Sequence, residues 1–169
     1  MTMLITILMS MMTFAQVVVP QETKKESPTK ADVLAAIERF MANPGPTDDA
    51  RLINQFAQES SDCMVGLSPN VMPWATVQPA PKYSGALLTA FIAGNVKSQL
   101  DSGKNADDPH AGLLAVFKVY EKLREKDKDF KVAQIDELMT KEKNGELKAW
   151  AEKAAKDAAA EHEKKSGGK

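Results

Sequence analysis

The sequence predicts an all-α fold, a single-domain bundle of about five to six helices with a proline-rich extended segment, residues 60–82, packed across it. Three observations carry this expectation. Apolar residues recur at helical spacing along most of the chain. The periodic stretches are bounded by capping residues or by Gly and Pro breakers. One long stretch lacks the period and is apolar, yet Pro69, Pro73, Pro79 and Pro81 keep it from running as an interior helix.

Residues 1–15 come first and read as a signal peptide. They contain no charged side chain, hold Met1, Met3, Met9, Met11 and Met12, and end Thr13-Phe14-Ala15, with small residues where a signal peptidase cuts. The n-region lacks Lys or Arg, so the α-amino group is its positive charge. The alternative is an uncleaved membrane anchor, because the apolar run continues through Val17, Val18 and Val19 to Pro20. That run is short for a span of about 20 residues and is interrupted by Thr6, Ser10, Thr13 and Gln16. The expected address is therefore export, to the periplasm, cell surface or medium, with no integral span in the mature chain. Cys63 is the single cysteine, so no lipid-bearing Cys follows the apolar run and no internal disulfide can form.

Residues 16–28 carry turn formers and charge without a period and are expected to be a flexible linker. The helical domain is expected over 29–163. Thr29 and Asp32 form a capping pair ahead of the stripe Val33, Leu34, Ile37, Phe40 and Met41. Asn43-Pro44-Gly45-Pro46 ends that helix. Thr47, Asp48 and Asp49 start another with carboxylates at the positive end of its dipole, and Leu52, Ile53 and Phe56 follow.

In the 60–82 segment Val65, Leu67, Val71, Met72 and Trp74 are apolar, so the segment should lie against the helices with Trp74 as its anchor. The strongest period comes next. Leu87, Leu88, Phe91, Ile92, Val96 and Leu100 stripe one amphipathic helix, and Leu113, Leu114, Phe117, Tyr120 and Leu123 stripe a second that Asp108-Pro109 opens. The polar stretch 101–108 between them predicts an antiparallel hairpin. Burying the first stripe is worth about 10–15 kcal/mol gross at roughly 1.5–3 per large side chain, which makes this pair the expected centre of the core. Gly94 and Gly112 inside these helices cost about 1 kcal/mol each unless they permit close helix contact.

Val132, Ile135, Leu138 and Met139 stripe a short helix that Asn144-Gly145 ends, and Leu147, Trp150, Ala151, Ala154 and Ala158 open the last one. That helix is sustained by Ala, Lys and Glu, is expected to fray beyond Ala155, and leaves 164–169 as a disordered tail.

Charge identifies no partner. The net charge is −1, and the late charges, such as Lys126, Asp127, Lys128 and Asp129, alternate in sign as on a solvated face. There is no electrostatic case for nucleic acid or an anionic membrane. Chemistry is equally sparse. Asp107-Asp108-Pro109-His110 could be imagined as a metal site, but Asp108 before Pro109 is explained by helix capping and the cluster lacks a second local His. His162, in the region expected to fray, is poorly held for a ligand or a base. Cys63 with His110 could form a nucleophile and its base only if the fold brings them together. The glycines do not cluster into a phosphate loop, and no cofactor is expected.

The functional expectation is a non-enzymatic exported protein that acts in protein interaction or as a structural component of the envelope or secretome. A second reading is a carrier of a small apolar ligand, held between the long helices and residues 69–81. A third is an enzyme using Cys63 or the acids near His110. Trp74, Met72, Phe91, Phe117 and Tyr120 are the candidate ligand or partner residues. A carrier requires a cavity beneath 69–81, an enzyme requires converging polar groups, and an interaction module requires an exposed apolar patch.

Overall fold

The computed structural model describes residues 28–166, and these contain six α-helices and no strand. The expected signal peptide and nearly all of the expected linker therefore lie outside the described residues, as do residues 167–169.

Helix α1, Lys30–Ala42, begins where the sequence predicts. Thr29 Oγ1 accepts from the Asp32 amide at 3.2 Å while Asp32 Oδ2 accepts from the Thr29 amide at 3.1 Å, a complete capping box. The Thr29 hydroxyl, which donates to Asp32 Oδ2 at 2.6 Å, and then the Thr29 amide hold the Asp32 carboxyl below its ordinary pKa. Helix α2, Asp48–Glu59, is capped by Thr47, whose side chain accepts from the Ala50 amide. Val33, Ile37 and Phe40 of α1 and Ile53 and Phe56 of α2 are buried between the pair and its neighbours.

Helices α3, Ser84–Ser102, and α4, Pro109–Lys126, form the centre. They turn at Gly103, whose φ of 67° is a conformation that a side chain would strain. Their pairing is antiparallel: Phe91 meets Gly112, Gly94 meets Ala111 and Ala115, and Ser98 meets Asp108. The two glycines are where the backbones touch. A Cβ on Gly112 would sit 2.8 Å from the Phe91 ring, and one on Gly94 would meet the Ala111 carbonyl and lie 2.6 Å from the Ala115 Cβ. The close contact expected of them is thus present.

Two features of α3 correct the sequence reading. It is not a simple amphipathic helix, because Leu87, Thr89, Ala90, Phe91, Ile92, Ala93, Asn95, Val96 and Gln99 bury most of its circumference. Contacts with α1, α2 and α4 account for this. Leu88, expected in the core, is 37% exposed. Successive residues point about 100° apart on a helix, so with Leu87 turned inward its neighbour in the first turn faces out.

Helix α5, Ala133–Lys143, contributes Ile135 and Leu138 to the core, and Gly145 at φ 73° ends the turn after it. Helix α6, Leu147–Ser166, packs on α4 and α5 through buried Leu147 and Ala151. It runs to Ser166, well past the fraying expected beyond Ala155, so residues 164–166 are helical and not tail. Strong helix formers maintain its exposed distal half.

Within the proline-rich stretch, Pro73–Thr76 makes a 3₁₀ turn that touches α5. Val71, Met72 and Trp74 join the continuous core, with Trp74 only 1% exposed.

Candidate functional site: a clasped segment and the groove beside it

The expected binding residues are core residues. Trp74, Met72, Phe91, Phe117 and Tyr120 are all buried. Tyr120 also ties α4 to the start of α5, since its hydroxyl accepts from the Val132 amide at 2.9 Å and donates to Asp136 Oδ1 at 3.1 Å. Burial, the main cause, pushes its phenol pKa up.

Cys63 and His110 are not joined. Cys63 lies in the core, where burial, and then the charge of Asp62, raise its thiol pKa, so the reactive thiolate is disfavoured. His110 instead faces Glu142 of α5, with Nε2 3.4 Å from Oε2. Among the described residues no group of three or more His, Cys, Asp or Glu is placed to hold a metal ion. Nor is any helix there long and apolar enough to cross a membrane.

The acidic cluster before α4 is put to another use. Asp108 Oδ1 accepts from the Ala111 amide at 3.0 Å, the predicted cap, and Oδ2 accepts from the Ser98 hydroxyl at 2.6 Å. Asp107 reaches across the fold: its Oδ1 accepts from Asn95 Nδ2 at 2.5 Å and from the Gly66 amide at 3.0 Å. Beside it, Gln99 grips one residue of the loop at both ends. Gln99 Oε1 accepts from the Met64 amide at 2.9 Å, and its Nε2 donates to the Met64 carbonyl at 2.8 Å. Nε2 also donates to Asn95 Oδ1 at 2.5 Å, and that oxygen accepts from the Asp108 amide at 3.1 Å. The result is a clasp in which Asn95, Gln99 and Asp107 hold residues 64–66 against the α3–α4 hairpin. Among the described residues the buried side-chain atom left without a partner is Asn54 Oδ1, on α2 and outside the clasp.

The clasp has a period of two. The amides of Met64 and Gly66 are bonded to it, whereas the backbone groups of Cys63, Val65 and Leu67 have no hydrogen bond among the described residues. This alternation is that of an extended chain, whose successive N–H groups point to opposite sides. One edge is thus fixed to α3 and to the turn before α4, and the other carries no hydrogen bond among the described residues.

The side chains that the clasp presents are apolar and accessible. Met64 is 57% exposed and Leu67 54%, the largest values of any large hydrophobic residue in the described chain. Both line a groove of about 560 Å³ between residues 64–71 and α6. Its opposite wall is Ala155, Ala158 and Ala159, and Glu161, His162 and Lys165 stand at the rim. The small wall residues leave room that larger ones would fill.

Sequence reasoning missed this site, although one signal pointed to it. Asn95 and Gln99 are polar residues four apart on the most apolar of the described helices, in line with Phe91 and Ile92. A polar pair there must be satisfied from outside the helix. Compared with protein-family models, with curated proteins and with solved structures, the chain matches none.

Proposed function

We propose that the protein is an exported, non-enzymatic interaction module, in which the proline-rich segment lies across the helices as a strap and the groove beside Met64 and Leu67 is the working surface. The carrying observation is the pairing of two large, accessible apolar side chains with a backbone edge that is clasped on one side and has no hydrogen bond on the other among the described residues. Exposing such residues costs solubility, and their conjunction marks interaction sites. A rigid edge also lowers the ordering cost of binding an extended segment, which can add its own backbone hydrogen bonds. Export rests on the uncharged apolar run that ends Thr13-Phe14-Ala15.

The carrier reading is less well supported, because Trp74, Phe91 and Phe117 fill the space that an apolar ligand between the long helices would occupy. The enzyme reading lacks a joined pair of groups, since Cys63 is buried and His110 is turned to Glu142.

Two experiments test the proposal. Fractionation with N-terminal sequencing should find chain beginning at Gln16 in the exported fraction; full-length protein confined to the cytoplasm would overturn export. A photoreactive residue at position 67 should give a discrete crosslinked product in that fraction, which Met64→Glu reduces, while the same group at position 156 gives none. Equal labelling from positions 67 and 156 would overturn the surface assignment.

A further inference from the structure

Two sulfur atoms stand next to each other in the chain, on Cys63 and Met64, in opposite environments. The thiol belongs to the core, while the thioether is the most exposed large apolar side chain among the described residues. We propose that Met64 is a site of reversible oxidation by peroxides, and that its sulfoxide form turns the apolar groove polar without disturbing the fold. The groove part of this proposal rests on the surface described above; the chemistry of the site does not.

Access argues for Met64 over every other described methionine. Met72 is 4% exposed, and Met41 and Met139 are half-buried against the core. The reaction needs no ionisation. A lone pair of Sδ attacks one oxygen of hydrogen peroxide, the O–O bond breaks and an S–O bond forms. The departing hydroxide takes the proton remaining on the transferred oxygen and leaves as water. Sulfur gives up two electrons and the peroxide accepts them, so the methionine ends as the sulfoxide. The neighbouring thiol competes poorly, because peroxide reacts with thiolate and the burial of Cys63 disfavours that form.

The clasp determines what the modification does. Met64 is held through its backbone, by the two bonds to Gln99, while its residue surface is more than half exposed. Oxidising the sulfur therefore leaves the hydrogen bonds of the fold intact. What changes is the groove, where a polar S–O group now sits among Leu67, Val71 and the alanines of α6. An unoxidised thioether at such a place suits apolar contact, being flexible and polarizable. Its sulfoxide must be solvated or hydrogen-bonded, which an apolar occupant does not offer.

The test treats the full chain with hydrogen peroxide and follows each methionine by peptide mass spectrometry. Met64 sulfoxide should form at the rate of a free methionyl peptide, about tenfold or more faster than Met72 sulfoxide, and equally fast at pH 5 and pH 8. Cys63 should remain unmodified over that time. Circular dichroism and the melting temperature should not change. Fluorescence of anilinonaphthalene sulfonate, which reads the groove without any partner, should fall about twofold or more in the wild type and stay constant in Met64→Leu. A sulfoxide reductase should restore it. Oxidation of Met64 no faster than Met72, or only after melting, would overturn the site; unchanged dye fluorescence in fully Met64-oxidised protein would overturn the switch. Failure of crosslinking at position 67 would count against the interaction surface alone.

Discussion

Gln99 carries the grip on the segment, because one amide closes both backbone bonds of Met64 and makes a third to Asn95. Gln99→Leu keeps the volume and removes all three. The Met64 amide and carbonyl then lose their partners, at about 1–3 kcal/mol for each group left buried and unpaired. The variant should melt at lower temperature and lose its segment order, read as faster amide exchange at Met64. Tyr120 presents the same logic at the other end of α4. Tyr120→Phe keeps the ring contacts with Phe130 but strands the Val132 amide, and a denaturant titration should show a loss of about 1–3 kcal/mol. Both losses come from partners left behind and not from the removed group itself.

At the scale of elements, the α3–α4 contact sets the tolerance of the fold. Gly94→Ala gains helix propensity of about 1 kcal/mol but drives a methyl into the Ala111 carbonyl, and overpacking of this kind costs about 1–3 kcal/mol or more. Thermal melts should therefore show net destabilisation. Phe117→Ala, from a buried position, should cost about 3–5 kcal/mol, whereas Leu88→Ala should cost well under that, its side chain being partly in water. The connection into α3 carries the clearest acid dependence. Asp127 accepts from Lys82 Nζ at 2.6 Å and from the Tyr83 hydroxyl at 3.2 Å, and the Lys82 bond is the main reason its carboxyl pKa is lowered. A lowered carboxyl pKa contributes stability that is present above the ordinary value of 3.8 and disappears as pH falls through the folded value. Asp127→Asn should accordingly lose stability at neutral pH and flatten the acid limb of a stability profile below about pH 4.

These elements also show what the sequence could and could not reveal. Helix starts were legible because Thr29, Thr47 and Asp108 cap through local hydrogen bonds, which depend on residues three apart. The two interior glycines were legible for a similar reason, since a costly residue implies a close neighbour. Leu88 was misplaced because a stripe does not say how far round the helix its neighbours reach. The clasp was not legible at all. Its partners are separated by as many as 41 residues, as between Gly66 and Asp107, and no local pattern encodes such a pairing. The candidate binding residues were chosen for size and aromaticity, which are also the properties that bury a side chain.

Across the described residues, one continuous core joins all six helices to the 3₁₀ turn, and the backbone edge at Met64 and Gly66 is bonded to Gln99 and Asp107. The central claim is that this edge is fixed on one side and free on the other. Residue-resolved hydrogen exchange of backbone amides tests it most directly. The account predicts alternation, with the Met64 and Gly66 amides protected and those of Val65 and Leu67 exchanging fast, and predicts that Gln99→Leu abolishes the protection at Met64. Uniformly fast exchange across 63–67 in the wild type, or protection at Met64 that survives Gln99→Leu, would contradict it.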